Sequence, residues 1–230
     1  MFSLIIPVYN EEKNILPLLN DIFLSLKNYN NFEIIIINDS STDKTKKNLE
    51  ESIYSNKIII LNNNKNKGQS YSIHNGVKNA KFKTIVTIDG DGQNNPFDIP
   101  KLLELFNQNN EYFLVGGIRK KRKDNLIKIL SSKLANYVRS KILRDNCKDT
   151  GCSLKVFDRN TFLEFPYFDG IHRFIPALYA GYGYQTKFIE VSHRERVHGF
   201  SKYGTFDRMI KGIRDIKKVK KILKERKINE

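Results

Sequence analysis

Residues 84–93 read Thr-Ile-Val-Thr-Ile-Asp-Gly-Asp-Gly-Gln, a β-branched run that stops at two carboxylates with one glycine between them. Thr84 to Ile88 has the length and residue types of a strand buried among apolar neighbours. An unpaired buried carboxylate is costly, so a strand that carries Asp89 and Asp91 to its carboxyl end carries them to a partner. Both can converge on a hard divalent cation, Mg²⁺ or Mn²⁺, with Gln93 adding a neutral oxygen, and such ions keep positions open for phosphate oxygens. Gly90 and Gly92 let the turn adopt φ > 0 and let a ligand approach the backbone. An EF-hand calcium loop has similar residues at its first, third and fifth positions. It fails further along, where Asn94 takes the place of its glycine and Pro100 that of its bidentate glutamate.

Outward from this turn the same grammar repeats. Phe2 to Pro7, Phe32 to Asn38, Lys57 to Leu61 and Tyr112 to Gly116 read as strands. Glu12 to Leu26, Asp43 to Tyr54, Gln69 to Ala80 and Pro96 to Gln108 have the spacing of crossover helices. Continuous runs such as Ile34 to Ile37 suit strands covered on both faces, which predicts an α/β fold with a doubly wound, mostly parallel sheet flanked by helices. Ligands of such sheets bind beyond the carboxyl ends of the strands, where Pro7-Val8-Tyr9-Asn10 and Asn38-Asp39 fall. Asp39 is placed to hydrogen-bond a nucleotide base or ribose, whereas Asp43 suits a helix N-cap. Asn66-Lys67-Gly68-Gln69-Ser70 offers a glycine and free N–H groups at a helix start, near anionic ligands. Neither a P-loop nor a GxGxxG fingerprint occurs.

The second half is less regular. A basic amphipathic stretch runs from Arg119 to Arg144, followed by strands at Ser153 to Phe157 and Gln185 to Val191 and a long basic helix from about Phe206. No repeat or linker divides the chain, so one domain is expected over 1–230, in three stretches: the regular first half (1–117), the less regular 118–205 and a basic C-terminal helix (206–230). His193-Arg194-Glu195-Arg196 and Gly199-Phe200-Ser201-Lys202-Tyr203-Gly204 form a basic, glycine-bearing loop. Arginine forks match phosphate oxygens, Lys202 adds a point charge and Ser201 a hydroxyl.

Composition bounds the function. With 40% hydrophobic residues the chain can bury a core, and its formal charge of +15 favours anionic partners: phosphate ligands, nucleic acid or a membrane surface. No RNP-type motif or aromatic platform supports nucleic acid. Cys147 and Cys152 form neither a disulfide framework nor a metal set. The N-terminal run reads as a strand and not a signal peptide, and no stretch of about 18 apolar residues predicts a spanning helix.

Taken in order, IIPVYNEE, INDSSTD, NKGQS, TIDGDGQNNP, GGIRKKR, DTGCSLKVFDR, GIHRFIP and HRERVHGFSKYG resemble the family 2 glycosyltransferases of GT-A fold. The likeness is greatest to the polyprenyl-phosphate branch, with its dolichol-phosphate mannose synthases and undecaprenyl-phosphate sugar transferases, and covers residues 1 to 215. It implies Pro7, Tyr9 and Glu11 near the nucleotide base, Asp39 on the base or ribose, Gly68 and Gln69 beside the donor, and Asp89, Asp91 and Gln93 around the metal. It also implies donor and acceptor phosphates at Arg194, Arg196, Ser201 and Lys202, and a lipid phosphate at Arg119, Lys128 and Ser132. Two residues depart from the pattern: Ser40 stands where the family usually has glycine, and Lys128 where arginine is common.

The activity so implied is inverting transfer of a sugar from GDP-mannose or a UDP-sugar to a polyprenyl phosphate at the cytoplasmic membrane face. A phosphate acceptor is already an anion at neutral pH, so a carboxylate base is dispensable, and Asp149 receives no catalytic role. The alternative acceptor, a glycan hydroxyl of cell-envelope polysaccharide, would require such a base. The expected location is cytoplasmic, peripheral on the inner face of an anionic membrane, where a membrane-protein partner is possible. Leu126, Leu130, Leu134, Val138 and Ile142 form an i, i+4 stripe flanked by lysine and arginine, and Phe206, Met209, Ile210, Ile213, Ile216, Val219 and Leu223 form another.

Overall fold

The computed structural model describes residues 1–108, 112–120, 137, 139–195 and 205–229, with side chains of the last segment described over 212–226. β1 (Phe2–Val8), β2 (Phe32–Asn38), β3 (Ile59–Asn62) and β4 (Thr84–Thr87) alternate with α1 (Ile15–Ser25), α2 (Thr45–Glu50) and α3 (Gln69–Asn79). Then follow α4 (Ile99–Gln108), β5 (Tyr112–Arg119), β6 (Lys155–Asp158), α5 (Arg159–Glu164), α6 (Ile171–Gly181), β7 (Gln185–Val191) and α7 (Thr205–Asn229). One seven-stranded sheet, ordered β3-β2-β1-β4-β6-β5-β7, takes strands from both halves of the chain. β6 alone runs antiparallel, wedged between β4 and β5.

Strand periodicity sorts the core into two layers. Leu4, Ile6, Ile34 and Ile36 face α1 and α4, while Ile5, Ile35 and Ile37 face α3 and α6. α1 buries Ile15, Leu18, Leu19 and Ile22, an i, i+3, i+4, i+7 stripe that gives the helix its one apolar face. On the opposite side of the sheet Gly76 of α3 lets the helix lie against β1 and β2, since a Cβ there would stand 2.6 Å from both Ile37 Cδ1 and Ile5 Cγ2.

The expected helix over 43–54 is short, Thr45–Glu50, with a 3₁₀ turn at Ser55–Lys57 after it. β5 continues past Gly116 to Arg119, which brings that arginine to a strand end. α5 and α6 were not expected. Of the basic stretch 119–144, residues 139–143 are helical, while 121–136 and 138, with Leu126, Lys128, Leu130, Ser132 and Leu134, lie outside the described residues. The C-terminal stripe, which suits either a bilayer or the core, meets the core over part of its length. Val219 is fully buried, Ile216 and Leu223 pack on the same cluster as α6, and Leu223 covers Gly181 so closely that a Cβ there would lie 2.5 Å from it. Those three residues belong to the core and not to a membrane face; Ile213 remains half exposed. Among the described residues no helix is long and apolar enough to cross a membrane.

Candidate active site

Four of the polar motifs meet at the carboxyl ends of β1, β2 and β4. The turn after β1 is stitched to the turn after β2: Thr42 N donates to Asn10 Oδ1 (2.8 Å), Asn10 N to Ser41 Oγ (3.0 Å) and Glu11 N to Thr45 Oγ1 (2.8 Å). Asn10 and Ser40 both sit in the left-handed region, at φ 56° and 62°. Asparagine tolerates that conformation, but serine is strained there, which accounts physically for the glycine that the family prefers at Ser40. Glu11 also accepts from Asn14 Nδ2 (2.7 Å), so it helps open α1.

Asp39 is buried, and its carboxylate organises the neighbouring loop. Oδ1 accepts from Asn63 Nδ2 (2.7 Å) and Lys67 N (2.9 Å), and Oδ2 from Gly68 N (2.7 Å). The carboxylate expected to read a base or ribose thus accepts two backbone N–H groups of residues 67–68 and the amide of Asn63, with Gly68 at φ 82°. That loop in turn presents Gln69, whose Nε2 donates to Asp89 Oδ1 at 2.6 Å.

The two glycines of the Asp89–Asp91 turn do different work. A Cβ on Gly90 would meet Val8 Cγ1 at 2.6 Å and the Pro7 carbonyl at 3.1 Å, so glycine there lets the turn pass against the end of β1. Gly92 has open space around it and a φ of 73°, a backbone requirement. Asp91 Oδ1 accepts from Gln93 N (3.1 Å). Asp89 is anchored through its own N–H to Ser153 Oγ (3.1 Å), while Ser153 donates to Asn94 Oδ1 (2.7 Å). Burial first and the neighbouring Asp91 charge second push the Asp89 carboxyl up to about 7, against the opposing pull of Ser153, Lys155 and Arg119.

A carboxyl so raised sits where a cation would relieve both causes. Among the described residues no three His, Cys, Asp or Glu side chains cluster as a metal site. Asp89, Asp91 and the oxygen of Gln93 are a hard-ligand set that could hold Mg²⁺ or Mn²⁺ and leave positions for substrate oxygens.

Arg119 and Asp149 form the second buried feature. Arg119 Nε and Nη2 each lie 2.8 Å from a different Asp149 oxygen, and Arg119 N adds a third bond at 3.1 Å. The side chains are 11% and 8% exposed. Arg194 reaches the metal turn by its backbone, donating to Gln93 O (2.8 Å) beside the Asn94–His193 bridge. Its guanidinium meets Asp21 Oδ2 (2.5 Å) and Asn95 Oδ1 (2.7 Å), which ties the end of β7 to α1. Arg196, Ser201 and Lys202 lie outside the described residues.

A cavity of about 120 Å³ opens beside Asp89, lined by Gln69, Thr150, Ser153, Lys155, His172 and Arg173 among others. The last three were not singled out in the sequence. Lys155 had a signal: a charged residue between Leu154 and Val156 in an apolar strand breaks the local pattern, as residues at functional sites do.

Seven-stranded sheet, strand-end carboxylates and converging loops together define a nucleotide-sugar type of α/β fold, and comparison with known proteins agrees. The sequence profile of glycosyl transferase family 2 matches residues 3–165, and the chain belongs to that family. It is 35% identical over 208 residues to the dodecaprenyl-phosphate galacturonate synthase of Rhizobium johnstonii, covering 88% of this chain and 61% of that one. It is 33% identical over 207 residues to an undecaprenyl-phosphate 4-deoxy-4-formamido-L-arabinose transferase of Aeromonas hydrophila, covering 89% and 63%. The chain thus spans about three fifths of the length of these relatives. In fold it is similar to glucosyl-3-phosphoglycerate synthase from Mycobacterium tuberculosis in complex with Mn²⁺, UDP and glucosyl-3-phosphoglycerate. That likeness has a TM-score of 0.67 at 14% identity, over 95% of this chain and 78% of that one. The fold is GT-A.

Proposed function

We propose that the chain transfers a sugar, with inversion, from a nucleoside-diphosphate sugar to a polyprenyl phosphate at the cytoplasmic face of a membrane. The observation that carries this reading is the Arg119–Asp149 pair. Asp149, next in sequence to Thr150 of the cavity wall, is buried, and both its oxygens accept from Arg119. A carboxylate so neutralised is a poor proton acceptor. An alcohol acceptor needs a base and a phosphate acceptor does not, so the geometry favours the phosphate. The two relatives carry polyprenyl phosphates in their names, which supports the same acceptor.

Within this reading Asp89, Asp91 and Gln93 hold the divalent cation, which when bound neutralises the diphosphate leaving group. Gln69 positions Asp89, and Asp39 sets the loop that presents Gln69. Arg119 compensates the charge of Asp149 and is assigned to the acceptor side. Arg196, Ser201, Lys202, Lys128 and Ser132 complete the phosphate contacts. The charge of +15 supports peripheral attachment to an anionic bilayer. The sugar names of the two relatives differ, galacturonate and formamido-arabinose, so they do not fix the sugar here.

The test is incubation with a panel of UDP- and GDP-sugars and vesicles containing polyprenyl monophosphate, with products detected by mass. A polyprenyl-phosphate sugar formed only in the presence of divalent cation is expected. Transfer to a soluble glycan with no lipid product would replace this reading with the glycan-acceptor one.

A further inference from the structure

Gln69, whose amide meets Asp89 Oδ1 at 2.6 Å, stands between two clamped neighbours. On one side Asp39 accepts from Lys67 N and Gly68 N, which fixes the loop leading into α3. On the other side is Ser70, fully buried, whose hydroxyl reaches across to the other half of the chain. Gly170 N donates to Ser70 Oγ (2.7 Å), and His172 Nδ1 lies 2.6 Å from the same oxygen. A hydroxyl serves both contacts at once, since it has two lone pairs and one proton, and the direction of the second bond follows the tautomer of the ring.

The turn that receives Ser70 is itself held. Gly170 precedes α6 at φ 110°, and a Cβ there would stand 2.6 Å from Asp215 Oδ2. The same oxygen accepts from Arg173 Nη2 (2.6 Å). α7 thus backs the first turn of α6, and α6 backs the first turn of α3. Ile73 and Val77 of α3 share one apolar cluster with Ile175 and Leu178 of α6, so burial already joins the two helices. Burial has no direction, whereas a hydrogen bond sets geometry. This polar contact falls at the helix ends whose residues Gln69, His172 and Arg173 line the cavity, one residue from the group that touches the metal turn.

We infer that Ser70 and His172 are positioning residues for the cation site: acting through the backbone at position 70, they hold the Gln69 amide against Asp89. A glutamine side chain has several rotatable bonds, and its amide keeps one address only when the backbone that carries it is fixed. An outer hydrogen bond aligns a metal-binding carboxylate, and loss of such a partner typically costs about 10–100-fold in metal affinity. The inference rests on the cation reading above and names the residues that prepare that site.

Free Mn²⁺ is followed by its paramagnetic resonance in the presence of UDP and without sugar, at a temperature where circular dichroism shows each variant folded. Ser70→Ala and His172→Ala should each weaken Mn²⁺ binding by about tenfold, as Gln69→Ala does, whereas His172→Asn, whose amide can take the place of Nδ1, should stay within about threefold of the wild type. Added to Gln69→Ala, the Ser70→Ala change should cost less than about twofold more, because a residue that acts through Gln69 has nothing left to act on. His172→Ala leaves the Gly170–Ser70 bond in place and keeps the test available if the buried Ser70→Ala protein does not fold. Wild-type Mn²⁺ affinity in either variant, with only a lowered denaturation midpoint, reduces the contact to helix packing and overturns the inference. So does a further loss of about tenfold when Ser70→Ala is added to Gln69→Ala. Asp91→Asn in the same titration separates the two failures. If it binds Mn²⁺ like the wild type, the cation reading falls and the inference with it; if it loses Mn²⁺ while the Ser70 and His172 variants keep it, the positioning role alone is overturned.

Discussion

Two carboxylates, the buried Asp149 and the half-buried Asp89, end up in different chemical states, although both stand in turns at the carboxyl edge of the same sheet. Asp149 meets an arginine fork that accounts for both its oxygens. Asp89 meets an amide, Gln69, and a second carboxylate one glycine away, and its carboxyl is pushed up to about 7. The difference lies in what the neighbouring strand supplies. β5 extends far enough to deliver Arg119 to Asp149, while among the described residues no cationic side chain is hydrogen-bonded to Asp89 and Lys155 is turned to a carbonyl. A protein-neutralised carboxylate holds structure; one left to be neutralised from outside is prepared for a cation.

The sharpest break of this comparison is substitution at the metal turn. Asp91→Asn should lower kcat by at least about a hundredfold, several kcal/mol of transition-state stabilisation, with little change in the circular dichroism of the fold. Near-wild-type turnover, or full turnover of the parent in excess chelator, would contradict the assignment. Asp149→Asn should instead act on stability. It leaves Arg119 buried without its counter-charge, at a cost of about 3–5 kcal/mol, read as a fall in the denaturation midpoint. A loss of kcat at unchanged stability would make Asp149 a base after all.

A gentler probe is pH. The folded Asp89 keeps its proton up to about 7, while the unfolded chain releases it in the ordinary carboxylate range. Between those two values the native state binds more protons, so stability of the chelator-treated protein should fall as pH rises towards about 7 and level off above it. A denaturation midpoint that climbs across this window would reverse the sign. The smallest effect is at Ser40, whose φ of 62° invites glycine. Ser40→Gly should gain about 0.5–1 kcal/mol by releasing left-handed strain, less what the freer unfolded chain takes back; a loss of stability would show that the serine side chain matters more than its backbone.

How much of this was legible in sequence follows the same divide. In the first half, period-2 and period-3.6 patterns and polar strand ends carried β1, β2, β4 and α3 almost to the residue, because each element is defined by local burial. The Asp89–Asp91 turn stood out for the same reason: two acids at the end of TIVTI have no apolar explanation. In the second half β6 was legible as a strand, but its antiparallel direction and the helices α5 and α6 depend on contacts far apart in sequence. Arg119 and Asp149 were both named, yet their pairing spans thirty positions and was invisible. So were Ser70 and His172, brought together across the α3–α6 contact. Arg194 looked like a phosphate ligand by residue type, and only Asp21, far away on α1, explains where its guanidinium goes. The C-terminal stripe has the same periodicity whether it meets lipid or α6, and Leu223 against Gly181 decides for the latter over that portion.

The most direct test is a Mn²⁺ titration in the presence of UDP, followed by the paramagnetic resonance signal of free Mn²⁺, on the wild type, Asp91→Asn and Asp149→Asn at a temperature where all three are folded. The account predicts that wild type and Asp149→Asn remove Mn²⁺ from solution alike, and that Asp91→Asn does not. Equal binding by Asp91→Asn, or loss of binding in Asp149→Asn, would contradict it.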